Sequence, residues 1–427
     1  MHELTRLIRE DMKPALGVTE PGAIAYAVAS ARAYTEGPVE KVKVALNSGM
    51  YKNAYTCGIP NSNEYGNLYA AALGAVAADA SLGLESLACI TAEDNRRARQ
   101  LVEEGLVEVT LDHMGSEITI DAEVWTAKDV CSVHIRNNHT DIRWIEKNGR
   151  VIRGQKAERL EEPDAQEEEP LIHQYSLREI LHYVRTVSTE EISFIREAFS
   201  VNMDLLEESA LSDRTAITAM LIRDNGNTII SRDARKTAQL LCNGAIEGRV
   251  LGLAKPAMSI TGSGAHGIIA TMPLFAFYQV NREKMDEDSL LRATALSFLI
   301  TMYIKEYSGR LSAFCGCGIA AGTGMACGLG YLQNAEDDKI TMIIQNMASG
   351  LTGMICDGGN QGCAMKGIVA VDAAFRAVDM AMEGVCIDSI HGINGRTPED
   401  TMRHMGMIAS PGMVKTEEVI VEIMKEK

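Results

Sequence analysis

The chain has 427 residues, enough for about two or three domains with sizeable cores, so a small disulfide-stapled fold is excluded. Its 41 basic and 58 acidic side chains leave a formal net charge of -17 at pH 7, which repels phosphate backbones and anionic lipid surfaces. No nucleic-acid or membrane partner is expected.

The N-terminus gives no sign of export, because it carries acidic residues and lacks an apolar stretch of signal-peptide length. The most apolar long window, residues 290–304, is shorter than a bilayer requires and contains Arg292. A cytoplasmic protein without a membrane span is expected. Its ten cysteines should then be reduced thiols or metal ligands.

The first region predicts an α/β domain over residues 1–156. Apolar side chains alternate with polar ones in several runs between residues 39 and 153, which is typical of strands in a mixed sheet. The pair Asn148-Gly149 predicts a hairpin turn between the last two strands. Helical patterns interrupt the strands at residues 21–34, 65–80 and 93–104.

An acidic, proline-containing stretch marks the boundary between two domains. Residues 157–170 lack apolar periodicity and predict a solvated linker, although a docking peptide for a basic partner has the same composition. Apolar residues beyond position 176 recur with helical spacing, as in 233–254 and 286–307. We expect an α+β protein whose second domain, residues 171–427, is all-helical.

A glycine-rich loop lies in the second domain at residues 262–267. Its sequence GSGAHG has the G-x-G-x-x-G spacing of a dinucleotide turn, but no strand with a ribose-binding acid follows, which argues against a nucleotide. Backbone N–H groups of such a loop can face an anion, for example a substrate carboxylate, and His266 lies within it. A turn that merely joins two helices is the alternative.

Cysteines are concentrated in the second domain. Cys356 and Cys363 flank the loop DGGNQG, and Cys315 and Cys317 lie about forty residues upstream. The paired C-x-x-C knuckles of structural zinc sites are absent, whereas a glycine-rich C-x6-C loop with a distant third thiolate suits an iron–sulfur cluster. Three thiolates would leave one iron of a [4Fe-4S] cluster open as a Lewis acid. Reduced, buried cysteines are the alternative.

Several motifs in order along nearly the whole chain carry a family resemblance. They are LGVTEPGAIAYA, MYKNAYTCGIP, GSGAHGIIATMP, CGCGIAAGTG and CDGGNQGCAMK. With them the chain resembles the L-cysteine desulfidase family, whose C-terminal half is similar to the serine dehydratase α domain. The resemblance implies a [4Fe-4S] lyase, independent of pyridoxal phosphate, that forms hydrogen sulfide, ammonia and pyruvate from L-cysteine. Its relatives dehydrate L-serine.

The resemblance also implies the site residues. Cys356 and Cys363 match two cluster ligands, and the third falls on Cys315 or Cys317, of which we prefer Cys315. The segment 139–141 resembles a His-Thr-Asn motif of the family. The expected catalytic residues are His266, Glu20 and Lys52, and the expected substrate-binding residues are Thr19, Asn53, Ser263 and Gly264.

The chain departs from the family at three positions. Val18 stands where desulfidases carry the cysteine proposed to transfer a proton, and valine cannot do so. Ala265 and Asn360 replace an asparagine and a lysine. These changes favour, as an alternative, a family member that has become a binding protein or acts on another small amino acid. A small L-amino acid is the expected ligand, and a homo-oligomer is compatible with the sequence. The segments around Thr19 and Lys52 are expected to meet the helical domain near Cys356.

Overall fold

The computed structural model describes residues 1–156, 169–309 and 311–427. The linker predicted over 157–170 lies outside the described residues, apart from Glu169 and Pro170. A sheet with flanking helices comes first along the chain and a helical region follows, which confirms the predicted α+β class.

Alternating buried and exposed side chains build the strands. The strands are β1 (Lys13–Leu16), β2 (Val39–Leu46), β3 (Val107–Leu111), β4 (Thr119–Thr126), β5 (Val130–Arg136), β6 (Ile142–Lys147), β7 (Arg150–Gly154) and β8 (Pro256–Ser259). Six of them form a sheet in the order β3-β2-β4-β5-β6-β7. β2 pairs in parallel with β3, and the other neighbours are antiparallel, so the sheet is mixed. Asn148 and Gly149, both with positive φ, form the predicted hairpin turn between β6 and β7.

Five helices accompany the strands of the first region. They are α1 (Glu3–Asp11), α2 (Thr19–Arg32), α3 (Ser48–Ala54), α4 (Gly66–Val76) and α5 (Ala92–Glu103). α2 is buried around nearly its whole circumference, because it packs against the sheet on one side and α4 on the other. Gly74 of α4 allows this approach, since a Cβ there would lie 2.7 Å from the carbonyl oxygen of Ala25.

The second region is helical apart from β8. Its helices are α6 (Leu177–Thr186), α7 (Thr189–Ile192), α8 (Arg196–Leu211), α9 (Ala216–Asp224), α10 (Ala234–Val250), α11 (Gly264–Asn281), α12 (Glu287–Ser308), α13 (Gly322–Leu332), α14 (Asp337–Leu351), α15 (Gly362–Met382), α16 (Pro398–Met407) and α17 (Val414–Lys425). α12 is buried along most of its length and packs against α11, α13 and α16. In the described parts of the chain, no helix has the length and apolar character needed to cross a membrane.

The N-terminal segment joins the two regions. β1 pairs antiparallel with β8, and Leu4 and Ile8 of α1 belong to the same hydrophobic core as the helices of the second region. The first residues of the chain therefore pack with the helical region, although the sequence patterns assign them to the α/β domain. Since α2 follows β1 directly, its N-terminus is held beside the loop that follows β8.

Candidate functional site

A cavity of about 650 Å³ lies between the two regions. Segments far apart in sequence line it: the start of α2, the loop around His139, the end of α10, the start of α11 and the cysteine-rich loops. Large clefts with converging polar groups at such boundaries are the usual location of ligand sites. The structure also brings the Lys52-Asn53 segment next to Cys356, whose Sγ lies 4.0 Å from the Asn53 Oδ1 atom.

The start of α2 supplies Thr19 and Glu20. The Thr19 hydroxyl donates to the carbonyl oxygen of Gly262 at 3.3 Å, which ties this helix to the glycine loop. Asn53 donates to Glu20 Oε1 at 3.1 Å, and His139 Nε2 lies 3.8 Å from the same oxygen. Burial alone raises the pKa of Glu20, but His139, Asn53 and the charge of Arg249 together lower it to about 2. Glu20 is therefore a buried carboxylate at neutral pH.

Lys52 lies outside the cavity lining. Its side chain is completely buried, and its Nζ atom donates to Glu417 at 2.7 Å and to the carbonyl oxygens of Ser312 at 2.9 Å and Cys356 at 3.1 Å. Three acceptors occupy the three N–H groups of an ammonium. The expected assignment of Lys52 to the reacting groups therefore has no geometric support, because no N–H of the ammonium remains for a substrate.

The glycine loop turns the chain from β8 into α11. Thr261 and Gly262 have φ values of +51° and +74°, which reverse the backbone so that Ser263 becomes the N-cap of α11. Ser263 and His266 line the cavity. Gly264 is not among the lining residues; a Cβ at this position would lie 2.7 Å from Arg249 Nε, so glycine makes room for the arginine.

His266 is held in one tautomer by Thr261. The Thr261 hydroxyl donates to the carbonyl oxygen of Ile260 at 2.7 Å, so toward His266 Nδ1, 2.6 Å away, it acts as an acceptor. Nδ1 then carries the proton, and Nε2 keeps a free lone pair that faces the backbone of Gly316. Burial, followed by the charges of Lys305 and Arg249, holds the pKa of His266 well below its ordinary value. The ring is therefore neutral at pH 7.

Arg249 is a site residue that motif comparison missed. It ends the buried helix α10, has 5 % relative exposure and lines the cavity. Its buried Nε atom has no hydrogen-bond partner among the described residues. The signal in the sequence is an arginine followed by apolar residues in the last turn of a helical pattern, where a charged residue is rarely fully buried without a partner.

Lys366 interacts electrostatically with the thiols of Cys315, Cys356 and Cys363. Burial alone lowers the pKa of Lys366, but these thiols and the carboxylate of Asp357, which accepts a hydrogen bond from Lys366, raise it. Cys317 is the first residue of the π-helical turn Cys317–Ala321. Its Sγ atom lies 3.4 Å from Cys315 Sγ. Of the two, Cys317 lines the cavity and Cys315 is buried behind it.

No group of three or more His, Cys, Asp or Glu side chains in the described ranges is arranged to hold a single metal ion. Burial raises the pKa of the Cys356 and Cys363 thiols, the latter to about 11. All ten cysteines are free thiols in the structure. Cysteine thiolates are the usual ligands of iron–sulfur clusters, so these loops carry side chains of the type that such a group requires.

Val18 and Cys57 both pack against Gly359. A Cβ at Gly359 would lie 3.0 Å from Val18 Cγ1 and 2.5 Å from Cys57 Sγ. Cys57 is fully buried, donates to the carbonyl oxygen of Asn53 at 2.7 Å and lies outside the cavity lining. Burial raises the pKa of its thiol well above the ordinary value. Cys57 is therefore not positioned to replace the proton-transferring cysteine that is absent at Val18.

A family model and individual proteins both match this chain over most of its length. The sequence model described as serine dehydratase alpha chain matches residues 81–422. A UPF0597 protein of Clostridium botulinum strain Langeland is 39% identical over 99% of this chain and 98% of its own length. UPF0597 proteins of Caldanaerobacter subterraneus and Clostridioides difficile strain 630 are 36% and 30% identical over nearly the full length of both chains.

Proposed function

Since the chain belongs to the serine dehydratase alpha chain family, we propose that it is a lyase that releases hydrogen sulfide or water, together with ammonia and pyruvate, from L-cysteine or L-serine. The observation that carries the proposal is the convergence of His266, Glu20 and the cysteine-rich loops on one cavity. The proposed cofactor is a [4Fe-4S] cluster, and the proposed location is the cytoplasm.

The donor set fits such a cluster, because three interacting thiols lie behind and along one wall of the cavity beside a cationic lysine. Cys315, Cys356 and Cys363 would hold it. When bound, the cluster would supply a Lewis acid for the substrate carboxylate and the β-leaving group. Lys366 favours the thiolate forms that ligation requires, since its positive charge lowers the pKa of all three thiols against the effect of burial.

His266 is the proposed base. Its neutral Nε2 atom would take the α-proton, while the bond from the β-carbon to sulfur or oxygen breaks and the leaving group departs with the bonding electrons. The 2-aminoacrylate formed would tautomerise to an imine, and one water molecule would hydrolyse it to pyruvate and ammonia. Because Thr261 holds the proton on Nδ1, the base is ready without a rearrangement of the ring.

The four site residues expected from the first region take different proposed roles. Thr19 and Asn53 orient Glu20 and the glycine loop through hydrogen bonds. Lys52 supports the loop that carries Cys356 by binding its carbonyl oxygen. Lys52 is therefore a proposed positioning residue, and Glu20 remains in contact with the substrate.

One observation favours a second function. Val18 places an aliphatic side chain against Gly359 where the resembling desulfidases carry a proton-transferring cysteine, and Cys57 is not exposed to the cavity. A family member altered in this way would bind a small amino acid without turning it over, or would act on a different one.

Anaerobic purification, followed by iron and sulfide analysis and a visible spectrum, tests the cofactor. Release of pyruvate and sulfide from L-cysteine and L-serine, with the D-isomers as controls, tests the reaction. We expect Cys356→Ser to lose iron and turnover, whereas Cys89→Ser, at an exposed thiol, keeps both. A colourless protein without iron after anaerobic reconstitution contradicts the cofactor. Bound iron without pyruvate formation from either amino acid supports the second function.

A further inference from the structure

Arg249 is a buried cation whose Nε–H group has no acceptor among the described residues. Only 5 % of the residue is exposed, and its Nε–H group has no hydrogen-bond partner in the described parts of the chain. Its place in the last turn of α10 sets the charge beside the negative end of a helix, which offsets part of the cost of burial. The unpaired N–H still requires a partner, because buried donors without one are strongly unfavourable.

The start of α11 adds donors next to this arginine. Gly264 lies directly against Arg249 Nε, and the Ser263 hydroxyl makes no capping hydrogen bond. The first N–H groups of an α-helix lack intrahelical acceptors and carry a partial positive charge. Ser263, Ala265 and Arg249 all line the cavity. This wall of the cavity is therefore built to receive an anion.

Glu20 presents the opposite charge. Asn53 and His139 both approach its Oε1 atom, whereas Oε2 accepts no hydrogen bond from a described residue. Glu20 and Arg249 both line the cavity. Among the described residues, no ion pair with an N–O distance of 4.0 Å or less joins the two side chains. A buried carboxylate and a buried guanidinium thus line one space without a direct ion pair between them.

We infer that this cavity recognises the zwitterion of a small α-amino acid, with Arg249 and the start of α11 binding the α-carboxylate and Glu20 Oε2 accepting from the α-ammonium. The inference rests on the proposed function and deepens it. It gives Glu20 a binding role in place of proton transfer. Guanidinium groups pair with carboxylates through two parallel hydrogen bonds, a geometry that an ammonium lacks.

Lys305 is the other buried cation that lines the cavity and is bound differently. Its Nζ atom donates to the carbonyl oxygen of Gly309 at 2.8 Å, and the charges acting on it include Cys356 and Cys317. A substrate carboxylate bound by Lys305 is the competing assignment, and the experiment separates it from binding by Arg249.

The test measures binding to the anaerobically purified full-length protein by calorimetry. L-alanine is the probe, because it is a zwitterion without a leaving group and binds without reacting. L-alaninamide lacks the carboxylate charge, and propionate lacks the ammonium. We expect wild-type protein to bind L-alanine at least about tenfold more tightly than either analogue. Each analogue lacks one charged group and therefore loses the charge-assisted hydrogen bonds that this group would make.

Two variants assign the charges. Arg249→Gln should abolish the preference for L-alanine over L-alaninamide, and Glu20→Gln should abolish the preference over propionate. Arg153→Gln, on the exposed strand β7, should change neither. Thermal unfolding without ligand verifies that each variant is folded. If Arg249→Gln fails to fold, Arg249→Lys tests the same preference with the charge retained and the paired geometry lost.

Three results overturn the inference: no binding of L-alanine to wild type, an unchanged preference in the arginine variant, or loss of the preference in Lys305→Met instead. A protein that binds L-alanine with the expected preferences but forms no pyruvate contradicts only the proposed function. Conversely, turnover of L-cysteine with an unchanged preference in Arg249→Gln contradicts only the zwitterion site.

Discussion

Nζ of Lys52 lies 2.7 Å from Oε2 of Glu417, and both side chains are buried. This ion pair joins α3, near the start of the chain, to α17, near its end. The same ammonium also donates hydrogen bonds to the carbonyl oxygens of Ser312 and Cys356. The C-terminal helix is thus connected directly to a loop that carries a proposed cluster ligand.

Removing Lys52 should destabilise the protein. Lys52→Ala leaves the Glu417 carboxylate buried and unpaired, which costs about 3 to 5 kcal/mol of unfolding free energy. Urea unfolding measures the loss, and Lys128→Ala, in an exposed pair with Glu36, should change it by less than about 1 kcal/mol. The double variant Lys52→Met with Glu417→Leu should recover part of the stability. A fully stable Lys52→Ala protein that lacks turnover would instead assign Lys52 to catalysis.

Replacing His266 should remove the proposed base. His266→Ala is expected to lower kcat by about two to four powers of ten, as is usual for a positioned base, while the iron content stays at the wild-type level. Thr261→Val should give a smaller loss, because the ring remains but its proton is no longer fixed on Nδ1. Equal turnover of His266→Ala and wild type would show that another group takes the proton.

The pH profile should reflect the low pKa of His266. A base acts in its deprotonated form, and burial together with Lys305 and Arg249 lowers the pKa of this ring well below 6.5. The value of kcat/KM should therefore hold as the pH falls through 6.5. An acid limb centred near 6.5 in steady-state assays would contradict the assignment.

Cys315 and Cys317 should respond differently to substitution. Cys315 is buried and interacts electrostatically with Lys366, as Cys356 and Cys363 do, whereas Cys317 lines the cavity and interacts with the charge of Lys305. Cys315→Ser is therefore expected to lose bound iron and sulfide, and Cys317→Ser to retain them after anaerobic reconstitution. The reverse pattern of metal content would make Cys317 the third ligand.

Val18→Cys should restore a proton-transferring group at the start of α2. Cysteine is smaller than valine, so it fits against Gly359 with only a modest loss of packing. We expect turnover of L-cysteine to rise by about tenfold or more, within the range that a positioned acid or base contributes. Val18→Ala, which removes the same contact without adding a thiol, is the control, and an equal rise in both variants would exclude proton transfer as the cause.

Ionisation of Glu20 should appear in the pH dependence of stability. Its pKa is about 2 in the folded protein against an ordinary value of 4.5. A lowered folded pKa contributes stability above pH 4.5, and this contribution is lost as the pH falls from 4.5 toward 2. Between pH 5 and pH 3, urea unfolding of wild type should lose more stability than that of Glu20→Gln, whereas Glu36→Gln, at an exposed site, should follow wild type.

Sequence patterns predicted the elements whose side chains alternate or repeat along one segment. Alternation of apolar and polar side chains predicted the strands of the sheet, and the turn preference of Asn148-Gly149 predicted the hairpin. The helical spacing of apolar residues predicted α12. The pairing of β1 with β8 was missed because strands this short are defined by their distant partner. Arg249 was missed for the same reason, since its lack of an acceptor becomes visible only when α10 and α11 are packed together.

For Lys52, the sequence predicted the position of the residue but not the direction of its side chain. The Lys-Asn pair was correctly expected to lie near Cys356, but the direction of each side chain depends on α17, more than three hundred residues later. Asn53 therefore faces Glu20 and the cavity, while its neighbour faces away. Adjacent residues of one motif have different surroundings, which a linear pattern does not distinguish.

The strand pairing of β1 with β8 and the ion pair of Lys52 with Glu417 can form only after their later partners have been synthesised. Residues 13–16 leave the ribosome long before residues 256–259, and the helix that carries Glu417 follows both. Until that helix is translated, Lys52 lacks the carboxylate of Glu417 and the loop at Cys356 lacks its support from a paired lysine. Any inorganic group that this loop holds is therefore best inserted after the helix with Glu417 has been made.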